Sequence, residues 1–189
     1  MNSMKSVMMS NFGVAPVTDI EEVQQPMLTS GMTLVRMHAV NINRLSKLVR
    51  DGELPAAPGM SIFGNEGSGI VQGGGRLEPG TPVIVYGGRD LGVNVDGLFR
   101  EFVLVEDWRV FELPTGLSLS QGAAVSVSLL TARGALDAAG ELEGGSPVLV
   151  SGAAGAVGLA LMQTARANGL RPIGAVSSRT KAEKRSSPG

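Results

Sequence analysis

The 189-residue sequence contains no cysteine, so it can form no disulfide, present no thiolate nucleophile and build no thiolate metal site. That absence suits a reducing compartment, and the expected location is the cytoplasm. Histidine occurs once, as His38. It falls inside the alternating run Thr33-Leu34-Val35-Arg36-Met37-His38-Ala39-Val40 with no second metal-ligating side chain close by, which fits a structural strand residue better than an acid or base. No window approaches about 18 uncharged apolar residues, and the first residues lack the charged-then-apolar order of a signal peptide, so no membrane partner is expected. Charge is nearly balanced, with 16 Lys and Arg residues against 17 Asp and Glu. This gives no electrostatic reason to expect nucleic acid or an anionic membrane as a partner. Aromatic residues make up only 4% of the chain and glycine numbers 27, a turn-rich balance that points to a β or α/β protein rather than a helical bundle. The 43% hydrophobic content is enough for a buried core.

What is present is organised around one stretch. Val148, Leu149 and Val150 lead into Ser151-Gly152-Ala153-Ala154-Gly155-Ala156-Val157-Gly158, and a segment of helical character follows from Leu159 to Asn168. The order is strand, turn, helix. In a dinucleotide fold such a turn brings backbone N–H groups against a pyrophosphate at the helix N-terminus, so side chains larger than methyl obstruct it. The spacing is Ala153-x-Gly155-x-x-Gly158, with alanine where the usual pattern has its first glycine. A second strand is expected at Ile173-Gly174-Ala175-Val176. It ends in Ser177-Ser178-Arg179-Thr180-Lys181, about 20 residues or slightly more past Gly155, where the ribose-reading residue belongs. A carboxylate there suits NAD, whereas hydroxyls and cations suit a 2′-phosphate, so the pattern favours NADP(H). The expected cofactor contacts are therefore Ala153, Ala154, Gly155, Ala156, Val157, Gly158, Ser177, Ser178, Arg179 and Lys181. The alternatives are a glycine turn that merely closes a strand against a helix, and a solvated basic tail made of Arg179, Lys181, Lys184 and Arg185.

Upstream, strand-like alternation runs from Lys5 to Ile20 and from Thr33 to Val40. Asn41 to Gly52 reads as a short helix ended by glycine, followed by a loop broken at Pro55 and Pro58. Within Ser61-Ile62-Phe63-Gly64-Asn65-Glu66-Gly67-Ser68-Gly69-Ile70-Val71 a single carboxylate is surrounded by glycines. Glu66 reads either as a base or as an acceptor for orphan N–H groups or a partner cation. Pro79 to Gly88 reads as turn, strand, turn, and further strands are expected at Gly97 to Val105 and Val110 to Pro114, a spacing that suggests a partly open barrel or a sandwich. Ser118-x-x-Gln121 is a capping box, and small residues then carry helical character from Ala123 to Ala139.

These motifs in this order resemble the medium-chain dehydrogenase/reductase superfamily, specifically its zinc-free quinone oxidoreductase-like branch, over about Lys5 to Lys181. The carriers are Val35-Arg36-Met37-His38-Ala39, the segment from Asn43 to Gly52, Gly64-Asn65-Glu66-Gly67-Ser68-Gly69, Gly97-Leu98-Phe99-Arg100-Glu101-Phe102, Leu129-Leu130-Thr131-Ala132, and Gly152 to Gly158. The resemblance implies a mixed β and α/β fold, a GroES-like N-terminal β domain followed by an incomplete Rossmann fold, with a substrate cleft between them. On this division, residues 1–120 form the GroES-like domain, 121–145 a connecting helical segment, and 146–189 the first part of the NADP-binding domain. The implied activity is hydride transfer from NADPH to a quinone or to a small unsaturated or simple carbonyl compound. By the same resemblance Asn43 and Thr131 border the nicotinamide and Tyr86 lies near the substrate. Their structural alternatives are a helix cap, a buried threonine bonded to its own helix, and a core tyrosine.

The zinc-dependent branch of the superfamily takes its catalytic metal at positions that match Asn43, Asn65 and Val127 here. None is a usual zinc ligand, and the four-cysteine structural lobe has no counterpart, so no metal is expected. Without a Lewis acid, hydrogen-bond donors must polarise the acceptor oxygen. The Gly-Asn-Glu sequence also resembles the mitochondrial-type 2-enoyl thioester reductases. Their proton-donating tyrosine in Gly-x-Tyr-Pro is replaced by Leu54 in Gly52-Glu53-Leu54-Pro55, which ranks that reading below the quinone or aldehyde one. A complete doubly wound domain has about six parallel strands, and the sequence supplies two before a polar tail. The expectation is a C-terminally truncated form with weak NADPH binding and slow turnover. The alternative is an inactive GroES-like fragment acting through protein contacts, and an exposed sheet edge would allow a homodimer.

Overall fold

The computed structural model describes residues 2–55, 57, 59–180 and 182. Lys181, one of the expected phosphate readers, lies outside them. The described chain divides into two compact units, Met1–Ser126 and Val127–Gly189.

Period-two alternation of valine and other apolar residues builds the first unit. Strands β1 (Ser3–Ser10) and β2 (Val17–Gln24) form an antiparallel hairpin. After β3 (Met32–Val40) comes helix α1 (Arg44–Arg50), then β4 (Glu66–Gly74), β5 (Pro82–Tyr86), β6 (Phe102–Glu106) and β7 (Val110–Glu112). These five strands make one antiparallel sheet in the order β6-β3-β4-β5-β7. Val35, Val71, Val83, Val85, Val103 and Val105 point to the same side and are almost wholly buried, forming the core of the unit. Single bridges from Ser6 to Arg100 and from Met8 to Ile62 tie the hairpin to the loops beside the sheet. A second cluster, Val49, Met60, Phe63 and Val93, packs α1 in place, with Phe12 edge-on to Phe63 at 5.3 Å between ring centres.

The glycines around Glu66 have a packing cause. A methyl on Gly69 would stand 2.2 Å from the Arg36 carbonyl oxygen, so β4 approaches β3 this closely only without a side chain there. The β3–β4 register slips between Met37 and Ala39, and His38 lies exposed at that irregularity in the strand.

Two expected elements take a different form. The run from Gly97 was read as strand, but β6 begins at Phe102. The preceding residues instead donate to another loop: Gly97 N–H to the Ile62 carbonyl at 2.6 Å, Leu98 N–H to Gly64 at 3.0 Å and Phe99 N–H to Phe63 at 2.9 Å. The helical run is also interrupted. The capping box of Ser118 and Gln121 starts a short α2 (Leu119–Gly122), and α3 (Ser126–Ala138) begins after a break.

In the second unit, after α3, strand β8 (Pro147–Ser151), helix α4 (Ala156–Ala167) and strand β9 (Arg171–Ala175) form a parallel strand–helix–strand unit. Among the described residues no helix is long and apolar enough to cross a membrane.

At the end of α1, Asp51 accepts from Arg50 Nε at 2.7 Å and from Lys47 Nζ. These bonds hold its carboxyl near 2, down from 3.8. A lowered carboxyl pKa favours the folded state above the ordinary value, and that contribution is lost as the pH falls through the folded value. The pair is at the surface and solvent-screened, so the effect is small. In urea unfolding at successive pH values from about 5 to 2, Asp51→Asn should flatten the acid loss of stability. Identical slopes in the two proteins would contradict this assignment.

Candidate functional site

In the first unit the polar residues gather around the start of β4. Asn43 has extended backbone and caps α1: its Oδ1 accepts from the N–H of Leu45 at 3.0 Å and of Ser46 at 3.3 Å. This fixes the orientation of the amide, so the NH2 group must be the end that faces β4. There Nδ2 donates to Asn65 Oδ1 at 2.6 Å and to Glu66 Oε1 at 3.1 Å. Asn43 is therefore both a helix cap and a member of the cluster. Its amide bonds are used in holding α1 against β4.

Glu66 is 1% exposed and accepts from side chains of two other segments. Its Oε1 also accepts from Asn41 Nδ2 at 2.7 Å, and Oε2 accepts from Ser126 Oγ at 3.2 Å. Its main-chain carbonyl accepts from Asn41 N–H at 3.1 Å. The carboxylate joins the segment before α1, the start of β4 and the first residue of α3, and side-chain amides and a hydroxyl serve it here. Asn41 and Ser126 were not singled out from sequence, because both are ordinary polar residues far from Glu66 along the chain.

Tyr86, at the end of β5, is half-buried and directly opposite Glu66 in the β4–β5 register. Next to it, the Gly87 N–H donates to the Asn65 carbonyl at 2.6 Å, and the Gly87 carbonyl accepts from Arg109 Nη1 at 2.6 Å. Arg109, 3% exposed, also pairs with Asp90 at 2.9 Å and Glu106 at 2.5 Å and lies 4.2 Å from the Trp108 ring. This knot pins the loop after β5 under Asn65. Positions 43 and 65 thus carry two amides bonded to each other. Among the described residues no group of three His, Asp or Glu side chains is placed to hold a metal ion.

In the second unit, Thr131 lies exposed on α3 and its Oγ donates to the Val127 carbonyl at 2.6 Å. It bonds to its own helix but is not buried. The glycine turn sits at the junction of β8 and α4, beside parallel β9. A groove of ≈ 590 Å³ opens there, lined by Ser151, Gly152, Ala154, Gly155, Ala175, Val176 and Ser177. It lies at the carboxyl ends of both strands, the usual ligand position in an open parallel sheet.

The residues named from the sequence pattern divide by position. Ala154, Gly155 and Ser177 line the groove. Ala156 and Val157 open α4, and Ser178 and Arg179 are exposed just past β9. Ala153 and Gly158 are buried instead. Ala153 donates its N–H to the Ala175 carbonyl at 3.1 Å and lies under Gly174, where an added methyl would be 2.8 Å from its Cβ. A methyl on Gly158 would meet the Gly152 carbonyl oxygen at 2.3 Å. These two small residues seat the helix and second strand on the turn. Gly152, part of the small-residue turn, also lines the groove, whereas Ser151, Ala175 and Val176 were not named from sequence, although strand ends beside the turn would have indicated them. Gly155 is the N-cap of α4 and no side chain caps it, and the first turn holds no acidic residue. No side chain of the turn therefore competes with an anion for the helix N-terminus, although the Gly155 N–H already donates to the Gly152 carbonyl at 2.9 Å.

Comparison with known proteins places this geometry in context. Residues 29–115 match the alcohol dehydrogenase GroES-like domain. Quinone oxidoreductase of Mus musculus is 32% identical over 181 residues, covering 93% of this chain and 53% of that protein. The Homo sapiens quinone oxidoreductase is 30% identical over 182 residues, covering 90% and 52%. The crystal structure of Pseudomonas syringae pv. Tomato DC3000 quinone oxidoreductase superposes with a TM-score of 0.73 at 27% identity, covering 95% of this chain and 55% of that one. The chain spans about half the length of the relatives it matches.

Proposed function

Because the chain belongs to the medium-chain dehydrogenase/reductase superfamily, on its quinone oxidoreductase-like side, we propose that it serves NADP(H)-dependent, zinc-free reduction of a quinone or a small unsaturated or simple carbonyl compound. The observation that carries this reading is the uncapped, acid-free start of α4 opening into a groove between the ends of two parallel strands.

The donor set fits a dinucleotide diphosphate. Gly152, Ala154 and Gly155 bring main chain to the groove wall with nothing larger than methyl. The Ser177 hydroxyl, with Ser178 and the Arg179 cation just beyond it, suits a 2′-phosphate. A guanidinium fork matches phosphate oxygens, and no carboxylate stands at positions 176–180 to favour a free ribose hydroxyl. The bound nicotinamide would supply the hydride. Thr131 has committed its proton to Val127, so its oxygen is left to accept from a carboxamide N–H. In the first unit, Asn43 orders the polar face beside β4, and the Tyr86 hydroxyl serves as donor to an acceptor oxygen.

Thermal unfolding with NADPH, NADH and adenosine 2′,5′-bisphosphate tests this. At a ligand concentration of about 100 Kd, stabilisation of about 2.7 kcal/mol is expected, for NADPH and for the bisphosphate, with NADH well below both. Absence of any shift, or equal shifts for NADH and NADPH, would overturn the cofactor assignment.

One further feature favours association between chains as a second reading. Leu149 and Ile173 are cross-strand neighbours on the β8–β9 sheet and are 73% and 44% exposed. These two side chains would be the apolar centre of such a contact, and a homodimer through it would elute at twice the monomer mass.

A further inference from the structure

A groove runs along the β1–β2 hairpin of the first unit, and nothing in the proposed reaction uses it. Strand alternation sets Lys5, Val7 and Met9 on one face of β1, and the register places Ile20 opposite Val7 and Thr18 opposite Met9. Two cavities lie along this face and share Val7, Val40 and Phe99 as lining. The first, of ≈ 400 Å³, continues past Met9 and Thr18 to Phe63 and the side of α1. The second, of ≈ 350 Å³, ends at Lys5, His38, Arg100 and Glu101. Each is within the roughly 300–1,000 Å³ of small-molecule sites.

The two ends differ in charge. At the α1 end, Lys47 and Arg50 are both held by Asp51, and Glu53 is 3.7 Å from Lys47. Positive charge there is already matched. At the other end the Arg100 Nε–H is buried and meets no acceptor, and Nη2 reaches only the Asp96 carbonyl at 3.5 Å, the limit of a hydrogen bond. The nearby carboxylates are turned to main-chain donors. Asp96 accepts from the N–H of Ser61 at 2.8 Å and Ile62 at 3.0 Å, and Glu101 accepts from Lys5 N–H at 2.7 Å. Nε and Nη2 form the edge of a guanidinium that takes both oxygens of a carboxylate. Burial lowers the Arg100 pKa by disfavouring its charge, a cost that an arriving anion would offset.

We propose that this groove binds a small amphipathic carboxylate, its apolar body lying along Val7, Val40 and Phe99 and its head group paired with the Nε/Nη2 edge of Arg100 as that side chain turns toward the cavity. The site is built wholly from residues of the first unit and requires none of the residues of the nucleotide groove. Calorimetric titration of the intact chain with octanoate, and with octanamide as a neutral match, tests the assignment. Octanoate should bind one to one and about tenfold or more tighter than octanamide. Arg100→Gln should erase that preference while octanamide affinity stays unchanged, and Thr18→Trp, on the exposed hairpin strand, should weaken both. If Arg100→Gln does not fold, the Arg100 Nε–H resonance of the unaltered protein must shift on adding octanoate and not on adding octanamide. Unsaturable octanoate binding, equal affinity for the two probes, or a preference that survives Arg100→Gln would overturn the proposal. NADPH titrated in parallel should be unaffected by either substitution.

Discussion

Gly158→Val is expected to destabilise the second unit and abolish nucleotide binding together. The added Cβ would lie 2.3 Å from the Gly152 carbonyl oxygen, 2.8 Å from Ala153 Cα and 2.9 Å from the Gly152 carbonyl carbon. All three are main-chain atoms of the turn itself, so no side chain can swing aside. Relief requires α4 to move away from β8 and β9, which opens the groove those elements define. Overpacking of this kind costs about 1–3 kcal/mol or more, and the valine branches add to it. The contrast is Gly155→Val. Gly155 has extended backbone, and a Cβ there meets only the Gly152 carbonyl oxygen, at an ordinary 3.4 Å. That variant should keep its fold to within about 1 kcal/mol but lose NADPH binding, because its side chain stands in the groove. Circular dichroism in urea and a fluorescence titration of NADPH separate the two. Normal binding by Gly155→Val would show that the nucleotide, if bound, lies elsewhere.

Glu66→Leu should be the most damaging change in the first unit. It removes the acceptors of Asn41 Nδ2, Asn43 Nδ2 and Ser126 Oγ at a site 1% exposed. A donor left unmatched costs about 1–3 kcal/mol, toward the lower end for half-buried groups such as these, and Asn43 Nδ2 keeps Asn65, so a total loss of about 2–3 kcal/mol is expected. Glu66→Gln keeps one oxygen for the two asparagines and turns an NH2 group toward Ser126, whose hydroxyl can accept as readily as donate. It should recover all but about 1 kcal/mol of the loss. The single tryptophan, Trp108, belongs to this unit and its fluorescence in urea reports the transition. Equal stability of the leucine and glutamine variants would remove the carboxylate from its proposed role as a tie between segments.

The parts of this molecule readable from sequence are those fixed by neighbours a few residues apart. The Ser118 and Gln121 capping box, the helix capped at Asn43, and the strand–turn–helix around Gly155 depend on local hydrogen bonds and on side-chain size, and they formed where those rules placed them. Residues 97–99 look like the start of a strand because apolar residues follow them, yet their partners are the carbonyls of residues 62–64, a pairing no local pattern encodes. Glu66 was visible as an isolated carboxylate among glycines. Its partners Asn41 and Ser126 come from elsewhere in the chain and were not legible. Within the turn, the preference for small residues was plain, but it has two causes. Ala153 and Gly158 are small because protein packs on them, whereas Ala154 and Gly155 line open space, and sequence spacing alone does not tell these apart.

In the proposed complex the main-chain N–H groups that open α4, at Ala156 and Val157, grip the diphosphate, since those of Ala153 and Gly155 already donate to the Ala175 and Gly152 carbonyls, while residues 177–179 read the additional phosphate. Amide resonances followed during titration of the intact chain with NADPH test it most directly. The account predicts saturable shifts concentrated at 152–157 and 177–179, and NADH should reproduce the first group without the second. Shifts elsewhere that leave the turn untouched would contradict it.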